Sequence, residues 1–179
     1  MRAHPASPSA VPAYIVQDVK ANRGQPKILI ALLLFRLAQV SRIRRPHGLI
    51  ALVAALMYRG YAEVICSFEI PVTTTVGPGL RIWHGFSIVV NPATVIGRNV
   101  VLRQGVTIGK TGRSNDCPVI GDDVAVGASA TIVGGIEIGD GAEIGAHSLV
   151  THDVPAGGAT RAANTRIFEP RAATKKEIR

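Results

Sequence analysis

His84-Gly85 is the pair in this 179-residue chain best suited to proton chemistry. An imidazole takes a proton from a hydroxyl near neutral pH, and a carboxylate beside it can hold the ring in one tautomer. Glu69, fifteen residues upstream, is the carboxylate to consider. Taken alone, a single histidine is an ordinary surface or structural residue, so the pair matters only if the fold brings its members together. The glycine-rich stretch Gly109–Cys117 (GKTGRSNDC) invites comparison with a phosphate cradle. It lacks P-loop spacing and has no strand–helix context, which argues against nucleotide hydrolysis.

The element that must position these residues is announced by an aliphatic beat every six positions. Read from Ile70, it falls on Val76, Ile82 and Ile88, resumes after a slip of two at Ile96, Leu102 and Ile108, and resumes after six extra residues at Ile120, Val126, Ile132, Ile138, Ile144 and Val150. So short a period cannot build a separate unit per repeat; it describes one side of a coiled prism. Three sides make a coil of eighteen residues, and coils stack at about 4.8 Å. His84, two residues past the inward Ile82, then points outward at a corner. Glu69 falls nearly one coil earlier, about one strand spacing away. The six extra residues must leave the prism as a loop over 109–119. His147 and His152 lie more than three coils beyond His84, at least about 14 Å along the axis, so the three cannot share a metal ion. Periodicity does not fix the hand of the coil.

Composition agrees with thin, repetitive packing: 47% hydrophobic but 4% aromatic, with 19 glycines. The net charge of +8 favours anionic partners. The basic residues lack aromatic interleaving and no nucleic-acid-binding motif appears, so a phosphorylated cofactor or an anionic membrane surface fits better than nucleic acid. Two cysteines are too few for a disulfide framework, and Met1–Ala13 shows no signal-peptide pattern. A cytoplasmic protein is the expectation. Residues 1–67 read as an arm and a helical cap, with helices over Tyr14–Asn22, Lys27–Arg42 and Leu49–Tyr61. Arg36 and Gln39 are expected to face water. The apolar runs Ile28–Phe35 and Leu49–Met57 are each less than half of the roughly 20 residues needed to span a bilayer. They are expected to be buried in an oligomer, or else to touch a membrane surface with help from Arg36, Arg42, Arg44 and Arg45. The prism occupies 68–155, and 156–179 is a basic tail.

The six-residue pattern resembles the hexapeptide-repeat acyltransferases. Within them, FEIPVTTTVGPGLRIWHGFSIVVNPATVIGRNVVLRQGVTIGKTG is similar to the serine acetyltransferase branch. The glutamate at 69, the His84-Gly85 pair and Cys117-Pro118 at the loop's end are nearest to its colanic-acid and exopolysaccharide acetyltransferase subgroup.

That resemblance implies a mainly β protein: a left-handed parallel β-helix with a short N-terminal α-helical region, active as a single homotrimer. It implies acetyl-CoA as acetyl donor, no metal, His84 as general base and Glu69 as its orienting partner. It also implies donor contacts from Gly109, Lys110, Ala128, Ala146 and Arg166, with Arg113 a further cation of the loop. The serine enzymes carry an aspartate before the catalytic histidine, where Trp83 stands here, and Arg-His at the loop's end, where Asp116-Cys117 stands. An amino-acid carboxylate would lose its cationic partner and meet Asp116. Trp83 offers a stacking platform for a sugar ring. A sugar hydroxyl, free or lipid-linked, is therefore preferred over serine as acceptor. A non-catalytic trimeric scaffold is the alternative of another class.

Overall fold

The computed structural model describes residues 18–44, 48–112 and 116–162. Tyr14–Gln17, Arg45, Arg113 and Arg166 lie outside them. Among the described residues, thirteen short strands pair in parallel to form three faces of a solenoid. The first face stacks Thr75–Val76, Val95–Ile96, Val119–Ile120 and Glu137–Ile138. The second stacks Arg81–Trp83, Val101–Arg103, Ala125–Val126, Glu143–Ile144 and Ala159–Thr160. The third stacks Val89–Val90, Thr107–Gly109, Thr131–Val133 and Leu149–Val150. Every aliphatic of the beat, from Ile70 to Val150, is buried.

The ladder registers relocate the slip. Val76 pairs with Ile96 and Ile82 with Leu102, but the third-face partner of Ile108 is Val90, not Ile88. The two extra residues therefore sit between Ile82 and Val90, on the corner that carries His84, rather than after Ile88. Ile88 is buried as well, two residues before Val90, and this second inward side chain disguised the slip in the sequence. The six-residue excursion falls as expected, between Ile108 and Ile120. The coil also runs past the expected stop at Pro155, because Val154 bridges to Ile138 and Ala159–Thr160 pairs with Glu143–Ile144.

Among the described residues, a helical stretch at 18–21 and two longer helices precede the solenoid. Helix α1 (Pro26–Arg44) starts on a proline, which tolerates the first helical position. It buries Ile28, Ala31, Leu32, Phe35 and Ala38. Helix α2 (Leu49–Gly60) continues without a break as a π-helical segment, Tyr61–Cys66. Ala51, Ala54, Tyr58, Ala62 and Cys66 form its buried stripe, and Phe35 packs on Tyr58 with ring centroids 5.2 Å apart. Within one chain the rest of this helix is exposed: Leu49, Ile50, Leu52, Val53, Leu56, Met57, Val64 and Ile65. Leu49–Cys66 is long and apolar enough to cross a membrane by length and composition, unlike the shorter run read from the sequence. Its small-residue stripe instead seats it against α1 and the first coil.

Arg36 overturns a second expectation. It is 1% exposed, and its Nε donates to Asp18 Oδ2 at 2.6 Å. Its terminal nitrogens donate to the carbonyls of Val76 (2.9 Å) and Gly77 (2.6 Å). Asp18 Oδ1 accepts from the backbone N–H groups of Gly79 (2.8 Å) and Leu80 (3.1 Å). Asn22 accepts from the N–H of Ile82 and donates to the carbonyl of Leu80. Gln39 donates to the carbonyl of Thr74, and the Tyr58 hydroxyl to that of Ile70. The first coil has no preceding coil to bond, and a buried unpaired backbone group is costly. Side chains of the helical region thus act as a substitute strand, which is why Arg36 and Gln39 turn inward and why Arg36 is withdrawn from the surface cation cluster.

Candidate active site

His84 occupies the lengthened corner between the second and third faces. Its backbone is left-handed, φ 51°, a conformation that costs a non-glycine residue about 1–2 kcal/mol. Six other non-glycine residues among those described share positive φ, but they fall in two regular columns. Ser67, Ser87, Ser129 and His147 recur three residues before an inward third-face residue, and Asn99 and Asp123 recur likewise on the second face. His84 stands outside both columns, so its strain belongs to the inserted corner. Strained backbone of this kind clusters at functional sites.

The corner is braced from below. A Cβ on Gly85 would come 2.7 Å from Ile28 Cδ1 and 3.0 Å from Ile82 Cγ2, so a side chain there would have to displace the end of Ile28 where α1 meets the turn. The N–H of Phe86 bonds back to the carbonyl of His84, and the N–H of Ser87 to that of Ser67. His84 is exposed; Trp83 beside it is half-buried, with the Arg81 guanidinium 4.4 Å from its ring centroid. The indole and imidazole centroids are 6.2 Å apart. Lys27 Nζ lies 4.8 Å from the centroid of Phe86.

Glu69 is on the adjacent coil, as its spacing predicts. It bridges to Val89, its N–H donating to the carbonyl of Ile88 at 2.7 Å. Its carboxylate is exposed, and among the described residues no hydrogen bond joins it to the His84 ring. In the ladder Glu69 stands opposite Val89, five residues past His84.

Above His84 the same corner repeats through each coil. Ala128 and Ala146 stand there, each just past an inward residue and its glycine. They line one groove of about 510 Å³, together with Arg103, Arg161 and Thr160. The structure thus joins His84, Ala128 and Ala146 into one track along the axis. It adds two arginines that the sequence pattern did not flag, because a corner position alone does not show which cations share a groove. Gly109, Lys110, Asp116 and Cys117 are elsewhere, at the corner between the third and first faces. There Asp116 packs over Gly135, where an added Cβ would meet its Cβ at 2.6 Å. Within one chain the third face separates this loop from His84. No group of three metal-ligating side chains occurs among the described residues.

The bacterial transferase hexapeptide (six repeats) signature matches residues 117–152. A serine acetyltransferase of Helicobacter pylori is 34% identical over 151 residues, covering 80% of this chain and 85% of that protein. The chain belongs to the hexapeptide-repeat acetyltransferase family. The acetyltransferase is also 32% identical over 146 residues to the colanic acid biosynthesis acetyltransferase WcaB of Escherichia coli, covering 79% of this chain and 90% of the relative. Among solved structures, a soybean serine acetyltransferase apoenzyme superimposes with a TM-score of 0.73 at 30% identity, over 89% of this chain and 69% of that one. This membership makes the acetyltransferase an acyl-transferring enzyme and sets aside the scaffold alternative.

Proposed function

We propose that the chain transfers an acetyl group from acetyl-CoA to a sugar hydroxyl in exopolysaccharide biosynthesis. The observation that carries this is the strained His84 corner, one coil before Arg103 of the groove that holds Ala128 and Ala146. The groove fits the donor: small residues leave room for a slender arm, and Arg103 and Arg161 supply cations for phosphates. When bound, acetyl-CoA supplies an acyl carbon activated as a thioester. His84 takes the proton of the attacking hydroxyl directly, with no covalent acyl-enzyme, and Glu69 across the coil spacing orients the ring. Trp83 offers its ring to the sugar's apolar face.

The loop carrying Lys110, Asp116 and Cys117 complements this cleft from a neighbouring subunit, since the third face parts it from His84 in its own chain. That division supports a homotrimer. The enzyme works in the cytoplasm, at the inner membrane surface where the exposed face of α2 can rest.

Filling the groove tests the donor assignment. Ala146→Trp is expected to raise the Michaelis constant for acetyl-CoA at least about tenfold, a loss of roughly 1.4 kcal/mol in binding. An unchanged constant in steady-state CoA-release assays counts against it. The acceptor is tested by following free CoA with serine, monosaccharides and nucleotide sugars side by side. Turnover of a sugar and not of serine is expected; efficient acetylation of serine alone would overturn the proposal. Serine is the second reading, favoured by the likeness to the Helicobacter pylori and soybean serine acetyltransferases. Against it stands Asp116, which is exposed on the loop where those enzymes are expected to offer cations.

A further inference from the structure

Aromatic side chains are scarce in this chain, at 4% of its residues, yet two flank His84: Trp83 just before it and Phe86 just after the turn. Phe86 is 54% exposed, whereas Phe35 and Phe68 are buried. The Phe86 N–H bonds back to the His84 carbonyl, so a three-residue turn brings its backbone beside that of His84. Each of the two rings carries a cation over one face. Arg81 stands 4.4 Å from the Trp83 centroid and Lys27 Nζ 4.8 Å from that of Phe86. These cations come from separate elements, Arg81 from the second-face strand Arg81–Trp83 and Lys27 from the first turn of α1. Arg81 Nε is buried and has no hydrogen-bond partner among the described residues. An unpaired buried donor is costly, and the stack on the indole is what offsets it.

We infer that Phe86 is a second acceptor-binding residue, and that Arg81 and Lys27 are positioning residues that set the two rings for a sugar; the inference rests on the sugar-acceptor proposal. A pyranose ring presents a C–H face that stacks on an aromatic ring, and a free amino acid such as serine has no such face. Two aromatic rings within two residues of the base can hold a sugar next to the hydroxyl that gives up its proton. A ring already pinned by a cation loses little further freedom when a ligand stacks on it, which lowers the cost of binding. Lys27 also ties this subsite to α1, because its neighbour Ile28 is the side chain that meets Gly85. The helical region thus reaches the acceptor through Phe86 without touching the solenoid ladder.

The test uses methyl β-glucoside and methyl β-galactoside as acceptors, with Phe86→Ala, Arg81→Gln and Lys27→Gln beside the wild type. Phe86→Ala, at an exposed position that should not compromise folding, is expected to raise the glycoside Michaelis constant at least about fivefold. The constant for acetyl-CoA should stay unchanged. Arg81→Gln and Lys27→Gln are expected to raise the glycoside constant by less. Trp83 is the chain's single tryptophan, so fluorescence anisotropy reads the freedom of its indole directly. Without ligand it should fall in Arg81→Gln and hold in Lys27→Gln. Unchanged glycoside constants in Phe86→Ala would overturn the inference and leave sugar acetylation standing. A change of oligomeric mass in that variant, read by light scattering, would also overturn it by making Phe86 a subunit contact. Unchanged anisotropy in Arg81→Gln would overturn the positioning role. Acetylation of serine with neither glycoside turned over would remove the inference and the underlying proposal together.

Discussion

His84→Ala is expected to leave the coil folded and to lower acetyl transfer by about 10²–10⁴, the usual worth of a positioned general base. The side chain is exposed and makes no core contact, so the loss should appear in kcat rather than in stability. Removing the imidazole also relieves none of the corner's strain, because alanine must adopt the same left-handed φ. Thermal unfolding should therefore match the wild type while CoA release with any acceptor collapses. Wild-type-like turnover would refute the role of His84 as base. A fall in Tm comparable to that of a core variant would show instead that the corner is structural. Glu69→Gln supplies a graded comparison: it keeps the side chain's length and loses only its charge, so its loss should be smaller than that of His84→Ala.

The second large effect belongs to stability. Asp18→Ala leaves the Arg36 guanidinium buried without its carboxylate and frees the N–H groups of Gly79 and Leu80. Breaking a buried pair from one side costs about 3–5 kcal/mol. For a chain of this size, that corresponds to roughly 10 °C or more in Tm. The double variant Asp18→Leu/Arg36→Leu is the sharper measurement. If the pair mattered only as an ion pair, an apolar replacement of both partners should be nearly neutral. Here the carbonyl of Gly77 and the backbone N–H groups of Gly79 and Leu80 would lose their side-chain partners, at about 1–3 kcal/mol each. Chemical denaturation should therefore find the double variant as unstable as the single one. Recovery of wild-type stability by the double variant would rule out the capping role.

Inward positions were legible because the solenoid repeats one physical demand: each aliphatic of the beat must fill a narrow axis. The corner position of His84 followed from counting alone, while the ladder sets Glu69 opposite Val89. The slip was misplaced because Ile88 and Val90 are both inward, and only hydrogen-bond register tells which one keeps the ladder. Arg36 was misread for a different reason. Its partners are backbone groups forty residues away in sequence, and a helical pattern carries no mark of a coil edge awaiting donors. Arg103 and Arg161 were missed because their shared groove depends on stacking across coils. The loop over 109–119 was found from the count, but the corner it leaves from is set by the ladder.

The coils differ in length while their ladders do not. Val76 to Ile96 is twenty residues, Ile96 to Ile120 twenty-four, Ile120 to Ile138 eighteen and Ile138 to Val154 sixteen. All of that variation is absorbed at corners. Selection can therefore reshape what the enzyme acetylates by editing a corner such as 83–87 or the loop over 109–119, without touching the ladder that keeps the chain folded. With the proposed site at these corners, one ladder can serve enzymes named for an amino acid and for a polysaccharide, to both of which this chain is about equally similar.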